Sequence, residues 1–158
     1  MTNFRKKTIK DVDVSNKTIL LRVDYNVQDD SGVLLDDLRL RESLPTIKYL
    51  IENNAKVVIC SHRGRPRGEF NPASSNLPVA KHLSQLLNQT VNFADSAFGE
   101  VTSKAISSMS FSDILLLENI RFYKGETENL DSFAEKLSEP FDLYVNDAFG
   151  ASHREHAS

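Results

Sequence analysis

The chain has 158 residues, 40% apolar and 26% charged, with a formal net charge of −3. That balance fits one globular domain with a buried core and excludes a disordered tail. No overall basic field draws it to nucleic acid or anionic lipid, so any anion site must be a local cluster. The single cysteine, Cys60, excludes a disulfide framework and a cysteine-built metal site, and it fits a reducing compartment. The first eight residues are polar and lead into Asp11 and Asp13, with no apolar segment of a secretory signal. Strongly apolar stretches such as 114–117 are far too short to span a bilayer. A soluble, cytoplasmic protein is expected, without membrane or nucleic-acid partners.

Taken in chain order, two textures alternate. A strand is predicted at 18–23 (T-I-L-L-R-V). A helix follows at 40–53, where Leu44, Ile47, Leu50 and Ile51 recur at three- and four-residue spacing and Pro45 stands near the first turn. Next comes a strand at 55–60 (A-K-V-V-I-C), then a helix at 77–88 with Pro78 where a helix can begin. A strand at 90–93, a weaker helix at 98–109, a strand at 113–117 (D-I-L-L-L), a weaker helix at 130–137 and a strand at 142–145 complete the series. Several strand runs are continuously apolar, as strands buried on both faces should be. Alternating strands and helices imply βαβ units, hence a mostly parallel sheet with helices on both faces. Residues 62–76 are too many for a plain βα connection, and long loops there tend to bind something. The chain ends at Ser158 in the polar run H-R-E-H-A-S, with nothing after it to cover the fifth strand. It reads as a domain cut short.

In open parallel sheets, ligands bind at the carboxyl ends of the strands. Strand one ends in R-V-D-Y-N (22–26), strand two in S-H-R-G-R-P-R-G (61–68), strand four in E-N-I-R-F (118–122), and strand five in N-D-A-F-G (146–150) followed by H-R-E-H (153–156). One sheet edge is therefore expected to gather His62, Arg65, Arg121, His153, Arg154 and His156. Arginine's planar fork pairs bidentately with phosphate or carboxylate, and converging arginines suit a small polyanion. Taken singly, each feature has a plainer reading. G-R-P-R-G is also a turn, Asp24 and Asn26 form an Asx turn, and Arg121 could pair with Glu118. His153 and His156 are a weak metal pair, and the acidic pairs Asp29-Asp30 and Asp36-Asp37 read as exposed loop charge. Matching chemistry from four strand ends favours a site. No G-x-x-x-x-G-K-[S/T], no G-x-G-x-x-G after a strand and no G-x-S-x-G is present. Cys60, inside an apolar strand, reads as core.

The blocks L-L-R-V-D-Y-N (20–26), D-D-L-R-L-R-E-S-L-P-T-I-K-Y-L (36–50), S-H-R-G-R-P-R-G (61–68), L-L-L-E-N-I-R-F-Y-K-G-E (115–126) and Y-V-N-D-A-F-G-A-S-H-R-E-H-A-S (144–158) together resemble the phosphoglycerate kinase family, in order and over nearly the whole chain. The resemblance implies a doubly wound, Rossmann-like lobe. Residues 1–158 would form most of the N-terminal, 3-phosphoglycerate-binding domain. The C-terminal domain, which binds Mg-ATP or Mg-ADP, would lie outside this chain. The implied reaction moves a phosphoryl group between 1,3-bisphosphoglycerate and ADP, a step of glycolysis, in an enzyme that is typically monomeric. Asp24 and Asn26 match residues that hold the glycerate hydroxyl and carboxyl end. His62, Arg65, Arg121 and Arg154 match the patch that holds the 3-phosphate, and Arg39 matches the arginine on the transferring group. Arg63 stands where the family usually has Leu and is expected to point to water; Tyr25 replaces the more frequent Phe. Two other readings compete. One is a non-catalytic domain that only binds a phosphorylated acid. The other is a receiver-like signalling domain, for which Asp95 is roughly placed but the lysine after strand five is missing.

Overall fold

The structure is a computed structural model that describes residues 6–27 and 36–158. Asp29 and Asp30 lie outside the described residues. Strands β1 (Thr18–Val23), β2 (Lys56–Cys60), β3 (Val91–Ala94), β4 (Ile114–Leu117) and β5 (Leu143–Asp147) form one sheet in the order β3-β4-β2-β1-β5. Every neighbouring pair is parallel. The helices are α1 (Leu38–Glu52), α2 (Leu77–Leu87), α3 (Glu100–Ser107), the short α4 (Lys124–Thr127) and α5 (Asp131–Ser138).

Side chains of successive strand residues point to opposite faces, so the continuous apolar runs feed two cores. Ile19, Leu21, Val57, Ile59, Ile114 and Leu116 pack with Leu40, Ile47 and Leu50 of α1 and Val79 and Leu83 of α2. Leu20, Val58, Cys60, Leu115 and Leu117 pack on the other side with Ile106 of α3 and Phe133 and Leu137 of α5. The doubly wound, parallel α/β arrangement is the expected one, and here it is wholly parallel. No helix among the described residues is long and apolar enough to cross a membrane.

Boundaries differ from the periodicity where local geometry overrides it. The third helix omits Phe98 and Gly99 because Gly99 has φ +108°, a conformation that cannot begin a helix. Helix α1 starts two residues earlier than its apolar stripe, so Pro45 falls inside it. Pro45 and Arg41 are both exposed, so the missing Pro45 N–H lies on the outer face of the helix. Strand β5 runs on to Asp147, paired along β1 as far as Val23.

Connections leaving β1 and β2 run to the α1/α2 face, whereas those leaving β3 and β4 run to the α3/α5 face. Strands β2 and β4 are neighbours, so the crevice where such sheets bind ligands lies between their carboxyl ends. In this protein the chain fills it. Asn76 Nδ2 donates to the carbonyls of Ser61 (3.3 Å) and Leu117 (3.0 Å), bridging the two strand ends. Asn119 Nδ2 donates to the carbonyls of Arg63 (2.7 Å) and Ser74 (2.9 Å). The Glu118 carboxylate accepts from Ser75 Oγ (2.7 Å) and from the amides of Asn76 (2.8 Å) and Asn119 (2.7 Å).

Arg63 corrects the expectation that it points to water. It is fully buried in this plug and donates to the Ser75 carbonyl, with the charge of Glu118 offsetting only part of its desolvation. Part of the long 62–76 loop therefore closes the crevice, and the open basic surface is displaced toward β1 and β5. Replacing Asn76 with Ala removes the shared donor of two buried carbonyls. Urea unfolding should show a loss of about 1–3 kcal/mol, and no change in the unfolding midpoint would contradict the plug.

Candidate anion-binding active site

The site is built outward from an arginine in a strand. Arg22 follows Leu20 on the α3/α5 face, stands opposite Cys60 and is almost fully buried. Its Nε donates to Ser158 Oγ (2.9 Å), Nη1 to the Val23 carbonyl, and Nη2 meets His62 Nδ1 at 3.0 Å. A guanidinium has no acceptor, so Nδ1 must accept. His62 is held neutral, its pKa pushed down to about 2 by burial and then by Arg22, Arg121, His156 and Arg154. Its proton is therefore assigned to Nε2, which faces Asp24 Oδ1 across 3.8 Å.

Asp24 and Asn26 leave the end of β1 on either side of Tyr25. The Tyr25 amide donates to Ser61 Oγ (2.9 Å), and its buried hydroxyl bonds Ser43 Oγ of α1 at 2.7 Å. Both readings of Asp24 are present. Oδ1 accepts the Asn26 amide (3.1 Å) as in an Asx turn, and it also pairs with Arg39 Nη1 at 2.7 Å. Arg39 is about half exposed (46%), so this pair contributes at most about 1 kcal/mol. It is free to re-form around a ligand. Asn26 Oδ1 accepts the Gly64 amide (2.8 Å), and Arg121 Nη1 donates to the Gly64 carbonyl (3.0 Å). One peptide segment after β2 thus links the ends of β1 and β4. Gly150 lies so close that a Cβ there would stand 2.8 Å from Asp24 Oδ2.

Arg121 is buried, and burial with neighbouring Arg154 and Arg22 holds its pKa below the ordinary guanidinium value. It does not pair with Glu118, which the plug has taken. Arg154 is exposed and, with Arg22, Asn146, Ser152, His156 and Ser158, lines a cavity of about 210 Å³. A second cavity of about 310 Å³ is lined by Asp24, Arg39, Glu42, Asp147 and Phe149 among others. The structure thus joins Asp24, Asn26, Arg39, His62 and Arg121 through contacts, and Arg154 through the shared cavity. Arg65 is exposed in its loop.

Three participants escape the sequence as named site residues: Arg22, Glu126 and the tail residue Ser158. Arg22 carries a signal, being the one charge in the otherwise apolar, buried stretch from Ile19 to Val23. Such a charge needs partners. Glu126 and Ser158 carry none. His156 Nδ1 stands 3.8 Å from Glu126, and the described residues hold no group of three His, Cys, Asp or Glu fit for a metal ion. Cys60 is core, its thiol pushed up to about 12 by burial.

The family model for phosphoglycerate kinase matches residues 9–158. The chain belongs to the phosphoglycerate kinase family. It is 51% identical over 157 residues to a phosphoglycerate kinase of Clostridium kluyveri, covering 98% of this chain and 39% of that protein. It is 52% identical over 152 residues to one of Borrelia hermsii, covering 96% and 39%. Among solved structures, phosphoglycerate kinase from Pyrococcus horikoshii superposes with a TM-score of 0.85 at 36% identity, covering 94% of this chain and 38% of that one. The Coxiella burnetii enzyme gives 0.84 at 37% identity, covering 95% and 37%. The chain thus spans about two fifths of the length of these phosphoglycerate kinases.

Because the folded state refuses a proton at His62 that the unfolded chain accepts, the stability of this chain depends on pH. The His62 contribution is intact above the unfolded pKa of 6.5 and is lost as pH falls from there toward about 2. Its slope approaches about 1.4 kcal/mol per pH unit. Denaturant unfolding from about pH 7 to 5 should show this decline, and His62→Asn should flatten it. A histidine that titrates near its ordinary value in the folded protein would contradict the assignment.

Proposed function

We propose that this chain is the 3-phosphoglycerate-binding lobe of a phosphoglycerate kinase, which moves a phosphoryl group reversibly between 1,3-bisphosphoglycerate and ADP. The observation that carries this reading is that Arg22 and Arg154 line one small cavity, with Arg121 and neutral His62 near enough to feel both charges and His62 facing Asp24. That arrangement suits a ligand with a phosphate at one end and a hydroxyl next to a carboxylate at the other.

In this reading the non-reacting 3-phosphate enters the cavity and takes the arginine N–H donors that the fold leaves over. Arg22 and Arg121 are held by carbonyls and His62, so their forks are set before the ligand arrives and little order is lost on binding. Asp24 accepts the substrate hydroxyl once Arg39 turns from it. Asn26 lies beside it, with its side-chain oxygen committed to Gly64 and its amide nitrogen left for the carboxyl end. Arg39, on the exposed rim of α1, then neutralises the oxygens of the phosphoryl group in transit. Reactions of this class need positioning and charge stabilisation far more than covalent help. The residues of this chain do not fit Mg-ATP or Mg-ADP, since neither standard glycine-rich phosphate cradle occurs in the sequence. That half of the site is assigned to a C-terminal domain, with domain closure joining the two. The same reading makes the whole enzyme a glycolytic, cytoplasmic monomer without nucleic-acid or membrane partners.

Calorimetric titration of the 158-residue chain should show binding of 3-phosphoglycerate that weakens as salt rises, and no comparable binding of Mg-ATP. Nucleotide binding as tight as 3-phosphoglycerate binding would overturn the assignment. In a chain extended by the rest of a phosphoglycerate kinase, Arg39→Ala should lower kcat, while Arg65→Ala should mainly raise KM, because it would hold a phosphate that does not react.

A further inference from the structure

Glu126 of α4 is fully buried, yet it lies outside every role assigned above. Its Oε2 accepts the Ser158 amide (2.9 Å) and its Oε1 accepts the Ser158 hydroxyl (2.7 Å). Its own backbone carbonyl accepts the Ala157 amide (3.0 Å). The same Oε1 stands 3.9 Å from Arg22 Nη2 and 3.8 Å from His156 Nδ1. Ser158 Oγ in turn accepts Arg22 Nε at 2.9 Å. A continuous chain of contacts therefore runs from Glu126 through Ser158 to Arg22 and on to His62 Nδ1.

We propose that Glu126 is a positioning residue of the anion site: through Ser158 it fixes the Arg22 guanidinium and, with it, the proton-bearing nitrogen of His62, while it pins the tail segment that carries Arg154. This deepens the proposed function and rests on it for the identity of the ligand.

Two roles for Glu126 predict opposite signs. A carboxylate within 4 Å of a cationic site repels an incoming phosphate. If Glu126 served only as a counter-charge to Arg22, its neutralisation would tighten phosphate binding. If it positions Arg22 and the tail, neutralisation loosens binding despite the gain in net positive charge. Gln is isosteric but brings an amide donor to a carboxylate that now accepts at both oxygens. Asp keeps the charge but withdraws it by one methylene from Ser158.

The test uses the 158-residue chain and its Glu126→Gln, Glu126→Asp and Ser158→Ala variants, each checked for folding by circular dichroism. Affinity for 3-phosphoglycerate is measured by calorimetry, and His62 is observed in nitrogen–proton NMR spectra. All three variants should bind about tenfold more weakly or worse. His62 Nδ1 should lose the pure acceptor signature it has in the parent. Ser158→Ala leaves the carboxylate in place, so it decides the matter if a Glu126 variant fails to fold. Tighter binding in Glu126→Gln, or unchanged affinity in Glu126→Asp or Ser158→Ala, would overturn the proposal. Should the parent chain not bind 3-phosphoglycerate at all, the functional reading falls. The positioning role is then judged by the His62 spectrum alone, and an unchanged tautomer in the variants refutes it.

Discussion

A buried guanidinium in the middle strand layer sets the terms for everything at the carboxyl edge of this sheet. Stripping a charge of water costs several kcal/mol unless its donors are met, roughly the stability margin of an ordinary domain. Arg22 is met by the carbonyl of Val23, by His62 at the end of β2, and by Ser158 in the tail, with Glu126 of α4 nearby. Elements distant in sequence are thereby forced to converge on one side chain. The convergence also determines chemistry, since a donor-only partner obliges His62 to accept at Nδ1 and to show its N–H toward Asp24. A structural need and a recognition surface are the same set of bonds.

The filled crevice between β2 and β4 explains why the proposed recognition surface lies beside it. Asn76 and Asn119 satisfy four carbonyls there, and Glu118 collects three donors. With most polar groups in the plug paired to another part of the chain, and the buried Asn76 Oδ1 an exception, little remains to attract a ligand. The unspent donors belong to Arg22, Arg121 and Arg154, beside β1 and β5. Arg63 belongs to the plug, and its burial shows how an extra charge is absorbed when a carboxylate and a carbonyl are already in place.

Much of this was legible in the sequence. Five short apolar runs alternating with helical stripes are enough to imply a parallel sheet with two cores, and polar residues after four of those runs locate the working edge. Gly99 and Pro45 moved helix boundaries because single-residue backbone geometry outweighs periodicity. Asp24, Asn26, His62 and Arg121 come together as their places after the strands suggest, and Arg39 joins them from α1 through Asp24. Arg65 lies exposed in the loop after Gly64. Arg63 was misread for want of any sequence mark of the plug. Glu126 and Ser158 were invisible for the same reason, since their partners are set by three-dimensional contacts between segments 32 residues apart.

The most direct measurement is a crystal structure of the chain with bound 3-phosphoglycerate. The account predicts the phosphate in the cavity, within hydrogen-bond reach of Arg22, Arg121 and Arg154, with the hydroxyl on Asp24 and His62 still accepting from Arg22. A phosphate seated instead on the exposed loop at Arg65 and Arg67, with the Arg22 cavity empty, would contradict it.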